Sequence, residues 1–242
     1  MPESELWVTR IFNDHLAGLG NLFLGLVKMP SEPRPWADFI VMQILVVALL
    51  MLVAAILKSR LSYDKPGSLQ HIFELLYDFV KTQAEDQVGH GAHRYLAFFG
   101  TLFLFILTCN LIGLIPWFES PTMSPSVTAG CAMATFAYYH LVGLQANGFR
   151  YFLHFLGPMW QLAPLMLPIE LVSHLARLLS LTVRLYANMF AGEQVTLVFI
   201  HLTKFLAPVI FMGLHVFVGV VQAYIFMLLA MVYVGAAVAH EH

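Results

Sequence analysis

Long apolar segments constrain the fold of this chain more than any other feature. Residues 39–57 form a run of nineteen in which Gln43 is the only polar residue. A helix of that length crosses the hydrocarbon core of a bilayer. Further apolar segments follow at residues 95–117, 127–144, 162–203 and 205–239. With 60% hydrophobic and 11% charged residues, the chain is predicted to be an all-α polytopic membrane protein with about five transmembrane helices.

The remaining segments are amphipathic rather than uniformly apolar. Residues 5–35 mix apolar and polar side chains, and prolines interrupt their end, so we expect an interfacial segment. Residues 69–85 have apolar side chains at helical spacing, which predicts an amphipathic helix on the cytoplasmic side. The aromatic-rich residues 151–160 are expected at an interface as well. Together these segments form one integral membrane domain over residues 1–242.

The last two apolar segments are longer than a perpendicular span requires. Because residues 162–203 and 205–239 each exceed the roughly 20 residues of such a span, they are predicted to form long, tilted, antiparallel helices joined near Lys204.

The distribution of basic residues predicts the orientation of the chain. Lys58, Arg60 and Lys65 follow the first span directly, so the positive-inside rule places that loop in the cytoplasm. The N-terminus is then outside and, after five spans, the C-terminus with Glu241 is cytoplasmic. The net charge of -2 gives no reason to expect a nucleic-acid partner.

Two cysteines occur in the chain, and both lie inside apolar runs. Cys109 and Cys131 have no neighbouring His or Cys at metal-ligand spacing. We expect them to be small buried core residues rather than a disulfide or a metal site. No metal or cofactor is predicted.

Residues 162–203 carry ionisable side chains within an apolar segment, and at membrane depth such residues indicate a functional site. At 100° per residue, Glu170 and Arg177 project on nearly the same face as Arg184, whereas Glu193 projects on the opposite side. This face also carries small polar side chains: Ser173, Ser180 and Asn188. The pattern indicates two ionisable half-paths separated by a fixed positive charge.

The final segment contributes His215 and Gln222, which share a helix face because they are seven residues apart. If the two long helices pack antiparallel about Lys204, Glu193 and His215 lie at similar depth. Spacing alone leaves a proton relay and a static structural pair equally open.

The inner end of residues 162–203 carries a second polar group. Glu170, Ser173 and His174 either line an inner exit or form an interfacial polar patch, and the sequence leaves both interpretations open.

Three strings in the chain resemble a known family. They are Arg-Leu-Tyr-Ala-Asn-Met-Phe-Ala-Gly-Glu at 184–193, Gln-Ala-Tyr-Ile-Phe at 222–226 and Asn-Leu-Ile-Gly-Leu-Ile-Pro at 110–116. Together with His215 they resemble subunit a of the membrane sector of F-type ATP synthases. The resemblance implies a non-catalytic stator subunit that conducts protons through two offset half-channels to and from the carboxylates of a rotor ring.

The resemblance also implies roles for individual residues. Arg184 would face the rotor carboxylate, and Glu193 and His215 would belong to the outer half-channel. Gln222 would lie beside Arg184, in a position to orient it by hydrogen bonding.

The implied partners are a ring of small c subunits, the peripheral-stalk b subunits, the soluble catalytic head indirectly, and the lipid bilayer. The expected location is the inner membrane of a bacterium. The chain has no Gly-x-x-x-x-Gly-Lys string for nucleotide binding. A free-standing ion channel and a secondary transporter remain as alternatives, although no internal repeat of the transporter type is evident.

Overall fold

The computed structural model describes residues 5–26, 30–62, 67–89, 91–115, 117–148, 163–202 and 206–238. Within these ranges the chain is helical and has no β-strand, which confirms the all-α prediction. The α-helices are α1 (Trp7–Leu26), α2 (Asp38–Ser59), α3 (Ser68–Val88), α4 (Leu96–Ile112), α5 (Pro125–Asn147), α6 (Ala163–Leu202) and α7 (Leu206–Val238). Several predictions fall outside the described residues: those for Lys65, residues 151–160, the turn at Lys204 and Glu241.

Four segments among the described residues are long and apolar enough to cross a membrane: Asp38–Ser59, Pro125–Asn147, Pro164–Ile200 and Val209–Val238. The helix α4 is equally apolar but has 17 residues. Its rise of about 25 Å lies at the short end of the range for spanning helices. The prediction of a polytopic membrane protein is therefore confirmed, with α4 as the shortest of five apolar helices.

The helix α1 is tied to the segment that leads into α2. It ends before Pro30, Pro33 and Pro35, whose rings cannot continue a helix. The amide of Asn13 donates to the backbone carbonyl of Trp36 at 3.1 Å and accepts from its N–H at 3.0 Å. The N-terminal segment thus folds back on the start of α2.

The amphipathic helix α3 packs against α7. The hydroxyl of Tyr224 donates to Gln83 at 2.9 Å, and the backbone carbonyl of Gln87 approaches Gly235 so closely that a Cβ there would lie 2.5 Å from it. Apolar side chains such as Ile72 and Leu75 remain exposed. This helix contains the predicted residues 69–85 and has the expected amphipathic character.

The helices α6 and α7 form an antiparallel hairpin. They have 40 and 33 residues, so their lengths are about 60 and 50 Å. Three pairs of contacting side chains are placed almost symmetrically about residue 205: Phe199 with Phe211, Asn188 with Gln222, and Arg177 with Tyr233. The prediction of two long antiparallel helices is confirmed, and this hairpin positions the candidate site.

The main core lies where α4, α5, α6 and α7 meet. Its largest fully buried side chains include Phe99, Ile106, Tyr139 and Phe226. Cys109 and Cys131 are buried as well, with 0% and 8% of their surface exposed. Both cysteines therefore pack as core residues, as the sequence predicts.

Candidate functional site

Arg184 lies near the middle of α6, on a face that is open to the surroundings. Its side chain is exposed, as are the apolar residues Leu179 and Val183 of the same helix. Within the described part of the chain, its one hydrogen-bond partner is Ser180, whose hydroxyl accepts at 3.4 Å. A permanently charged group therefore sits exposed on a largely apolar helix without a carboxylate of the described chain beside it.

The amide of Gln222 is buried between α6 and α7, with 3% of its surface exposed. It accepts a hydrogen bond from Asn188 at 2.7 Å. The expected hydrogen bond between Gln222 and Arg184 is not formed between these described side chains. The reason is the register of the hairpin, because a symmetric pairing about residue 205 places position 188 opposite position 222. Gln222 thus contacts the next turn of α6 beyond Arg184.

Toward the connection between α6 and α7, the imidazole of His215 packs directly on Gly192. It hydrogen-bonds the Gly192 backbone, and a Cβ at position 192 would lie only 2.5 Å from the ring Nδ1. Glu193 is next in sequence and partly exposed, so the contact with Gly192 places His215 level with Glu193 along the hairpin. Across residues 163–202 and 206–238, however, the structure contains no ion pair between them.

A second carboxylate lies near Glu193. The side chain of Glu119, in the segment that precedes α5, is close enough for the two charges to interact. Glu119 was not predicted from the sequence, since it lies in the connection between the apolar segments 95–117 and 127–144 and its contact depends on how that connection folds.

Toward the N-terminal end of α6, His174 bonds to groups from two helices. Its Nε2 lies 3.3 Å from a carboxylate oxygen of Glu170, and its Nδ1 lies 2.6 Å from the hydroxyl of Tyr139 on α5. The ring of His140 is 5.1 Å from the His174 ring, centroid to centroid, and Ser173, next to His174 in sequence, is half-buried.

Glu170, Ser173 and His174 were predicted from the sequence. Tyr139 and His140 of α5 were not, because only tertiary packing brings them to this site.

Arg177 lies between His174 and Arg184 but packs inward. Its guanidinium is 5.3 Å from the ring centroid of Tyr233 on α7, a cation–π arrangement. The two arginines predicted on one face of α6 therefore differ, since Arg177 contacts α7 while Arg184 is exposed.

A buried polar network fixes α7 between His215 and Gln222. Asn110 of α4 is fully buried; it donates to the carbonyl of Gly219 at 2.9 Å and accepts from Thr122 at 2.8 Å. Ser120 extends the network with a 2.7 Å bond to Thr122. Residues 110–116 showed a family resemblance in the sequence, but no sequence pattern connected them to α7.

The arrangement suits proton transfer along the hairpin. By helical rise, Glu170 and Glu193 lie about 21 and 13 Å from Arg184 along the axis, on either side of it. Carboxylates and imidazoles accept and release protons, whereas a guanidinium keeps its own. The described residues contain no group of three or more His, Cys, Asp or Glu placed to hold a metal ion.

Comparison with known proteins identifies the family of the chain. The family model described as ATP synthase A chain matches residues 40–235. ATP synthase subunit a of Solibacter usitatus (strain Ellin6076) is 65% identical over 233 residues, which cover 96% of this chain and 100% of that protein. ATP synthase subunit a of Koribacter versatilis (strain Ellin345) is 49% identical over 245 residues, with 100% of each chain covered. ATP synthase subunit a of Geobacter sulfurreducens (strain ATCC 51573 / DSM 12127 / PCA) is 39% identical, with 91% of this chain and 98% of that protein covered. The apolar helices and these full-length matches show that the chain is an integral membrane protein of the ATP synthase subunit a family.

Proposed function

We propose that this chain is the stator subunit a of an F-type ATP synthase and conducts protons between two offset half-paths and the carboxylates of a rotor c ring. The observation that carries the proposal is the exposed guanidinium of Arg184, halfway along an apolar helix and between two sets of protonatable groups. Such a charge is costly in lipid, and a carboxylate presented by a partner offsets that cost.

Arg184 contributes charge without carrying the transported proton. A guanidinium stays protonated at any physiological pH, so it attracts a passing rotor carboxylate and favours its ionised form. The same fixed charge opposes the direct passage of a proton between the two half-paths. Each proton must then travel with a rotor carboxylate, which is how proton flow is coupled to rotation.

The two half-paths use the groups on either side of Arg184. Glu193 and His215 serve the outer half-path. Glu170, Ser173, His174 and Ser180 serve the inner one. A separate structural role falls to the 2.7 Å bond between Asn188 and Gln222, which holds α6 against α7 next to Arg184.

The assembly and the orientation complete the proposal. The whole chain acts as one domain in a bacterial inner membrane, with its N-terminus outside and its C-terminus in the cytoplasm. It contacts the c ring and the peripheral-stalk b subunits, while ATP is made by the soluble head. The chain itself catalyses no bond chemistry.

The test is ATP-driven acidification of inverted vesicles that carry the intact complex. Arg184→Ala should reduce pumping to background while immunoblots show normal assembly, because the central charge is lost. Arg60→Ala removes an exposed arginine just beyond α2 and should pump at the wild-type rate. Wild-type pumping by assembled Arg184→Ala would contradict the proposal, and proton conduction by the purified chain without a c ring would favour a free-standing channel.

A further inference from the structure

The inner end of the bundle holds a cluster of protonatable side chains shared by α5 and α6. We call Tyr139, His140, Glu170 and His174 the inner histidine cluster. Tyr139 and His174 are buried, with 2% and 7% of their surfaces exposed. Glu170 is more open, with 37% of its side chain exposed. The cluster therefore runs from the buried interface of two helices to a carboxylate within reach of the surroundings.

Tyr139, His174 and Glu170 form a continuous hydrogen-bonded string. The Tyr139 hydroxyl is 2.6 Å from Nδ1 of His174, and Nε2 of the same ring is 3.3 Å from the Glu170 carboxylate. A neutral imidazole has one donor nitrogen and one acceptor nitrogen. With the hydrogen on Nε2, His174 donates to an ionised Glu170 and accepts from the Tyr139 hydroxyl. With the hydrogen on Nδ1, the ring donates to Tyr139, and Nε2 can bond only to a protonated Glu170. The string therefore has two proton arrangements, which differ in whether Glu170 carries the proton.

His140 has a defined proton acceptor. Its Nδ1 lies 2.9 Å from the backbone carbonyl of Phe136, and a carbonyl only accepts, so Nδ1 carries the hydrogen. In the neutral ring Nε2 then bears the lone pair. The rings of His140 and His174 are 5.1 Å apart between centroids, and the Tyr139 ring lies against both, at 4.2 and 5.8 Å between centroids.

Two further groups face the cluster among the described residues. Arg177 of α6 is close enough to interact electrostatically with both His140 and His174. Tyr233 of α7 lies 5.9 Å from Tyr139 between ring centroids. Helix α4 also packs on α5 at this level, where Phe98 stacks on Tyr138 with ring centroids 3.7 Å apart. The protonatable groups of the cluster itself come from α5 and α6.

We propose that protons of the inner half-path pass through His140 and His174, with Tyr139 as the residue that positions the two rings; this rests on the proposed function. A proton moves from the His140 imidazolium to His174 and from His174 to the Glu170 carboxylate, or in reverse. Each transfer forms one N–H or O–H bond and breaks another. No reactant is consumed.

The experiment uses the intact complex in inverted vesicles, whose outer medium bathes the inner end of the chain. We expect His174→Gln and His140→Gln each to slow ATP-driven pumping about 10-fold or more, since general acid–base groups contribute on that scale. The dependence of pumping on external pH should flatten. The matched control is His71→Gln, which changes an exposed histidine 3.9 Å from Glu74 and should leave both unchanged.

Chemical rescue separates proton transfer from a purely structural role. Added imidazole should restore pumping by His174→Ala, whereas isosteric pyrazole, which stays unprotonated at neutral pH, should not. Loss of pumping with an unchanged pH dependence and no rescue would overturn the inference in favour of a structural bridge. If His174 variants fail to assemble, half-buried His140→Gln decides the question by the same two readouts.

Failure of this inference is distinguishable from failure of the proposed function. If both histidine variants pump at the wild-type rate while Arg184→Ala does not pump, only the proton transfer through His140 and His174 is overturned. Wild-type pumping by Arg184→Ala would overturn the proposed function itself.

Discussion

The close contact between Gly192 and His215 allows a prediction to be worked from distances. In Gly192→Ala the new Cβ would lie 2.5 Å from Nδ1 and 3.1 Å from Cε1 of the His215 ring. Ordinary contacts begin at 3.4 Å, so Nδ1 must move by about 0.9 Å if the helix does not shift. That movement takes the ring away from the Gly192 backbone, to which it is bonded.

The cost to stability should be small. Loss of the hydrogen bond costs about 1 kcal/mol, and a ring turned about 30° from its rotamer costs about 1 kcal/mol more. Replacement of a helical glycine by alanine returns about 1 kcal/mol. Net destabilisation is then about 1 kcal/mol, and the complex should assemble.

The cost to proton transfer should be larger. A displacement of about 1 Å in a group that transfers protons costs up to about 100-fold in rate. We therefore expect Gly192→Ala to slow ATP-driven acidification of inverted vesicles about 10- to 100-fold, with an unchanged amount of assembled subunit on immunoblots.

The control for this prediction is Gly213→Ala, which lies in α7 two residues before His215 and where a Cβ meets nothing within 4 Å. It should pump at the wild-type rate. Equal pumping by Gly192→Ala and wild type would refute the reasoning, and so would equal losses in the two alanine variants.

Three further predictions concern packing. Asn110→Ala removes two buried hydrogen bonds, to the Gly219 carbonyl and from the Thr122 hydroxyl, so the detergent-solubilised complex should lose about 1–3 kcal/mol of stability and unfold at lower temperature. Gly235→Ala places a Cβ 2.5 Å from a backbone oxygen of α3, which cannot rotate aside, and a similar thermal assay should show about 1–3 kcal/mol of destabilisation. The thiols of Cys109 and Cys131 are buried, so a maleimide should label them only after denaturation in SDS.

Each of these has an outcome that would count against it. An unchanged unfolding temperature in Asn110→Ala would mean that the network does not stabilise α7. The control for Gly235→Ala is Gly100→Ala, whose Cβ meets nothing within 4 Å and which should be at least as stable as wild type. An equal loss of stability in Gly100→Ala would contradict the explanation by the contact with α3. Rapid labelling of either thiol in native membranes would contradict its burial.

Local sequence signals account for most of the fold. The apolar residues 39–57 lie within α2 (Asp38–Ser59), and prolines mark where α1 ends. The polar face of α6 was predicted from the sequence as well, because successive side chains of one helix are related by a fixed angle. Residues of a single helix could thus be grouped before any tertiary contact was known.

The contacts between helices were less accessible from the sequence. Pairing about Lys204 places position 186 opposite Gln222, whereas the hairpin pairs Gln222 with Asn188. A shift of two positions along a helix changes the direction of a side chain by about 200°. This small change of register therefore determines which α6 residue bonds to Gln222. Tyr139 approaches His174 from 35 positions away in the sequence, and no local pattern encodes such a contact.

The open face of Arg184 has a consequence for how the subunit is made. Under the proposed function, a newly inserted chain holds this guanidinium against lipid until a rotor carboxylate arrives, at a cost of a few kcal/mol. That cost is a sizeable fraction of the stability of a typical protein. We therefore expect copies without their partner to be degraded faster than assembled ones.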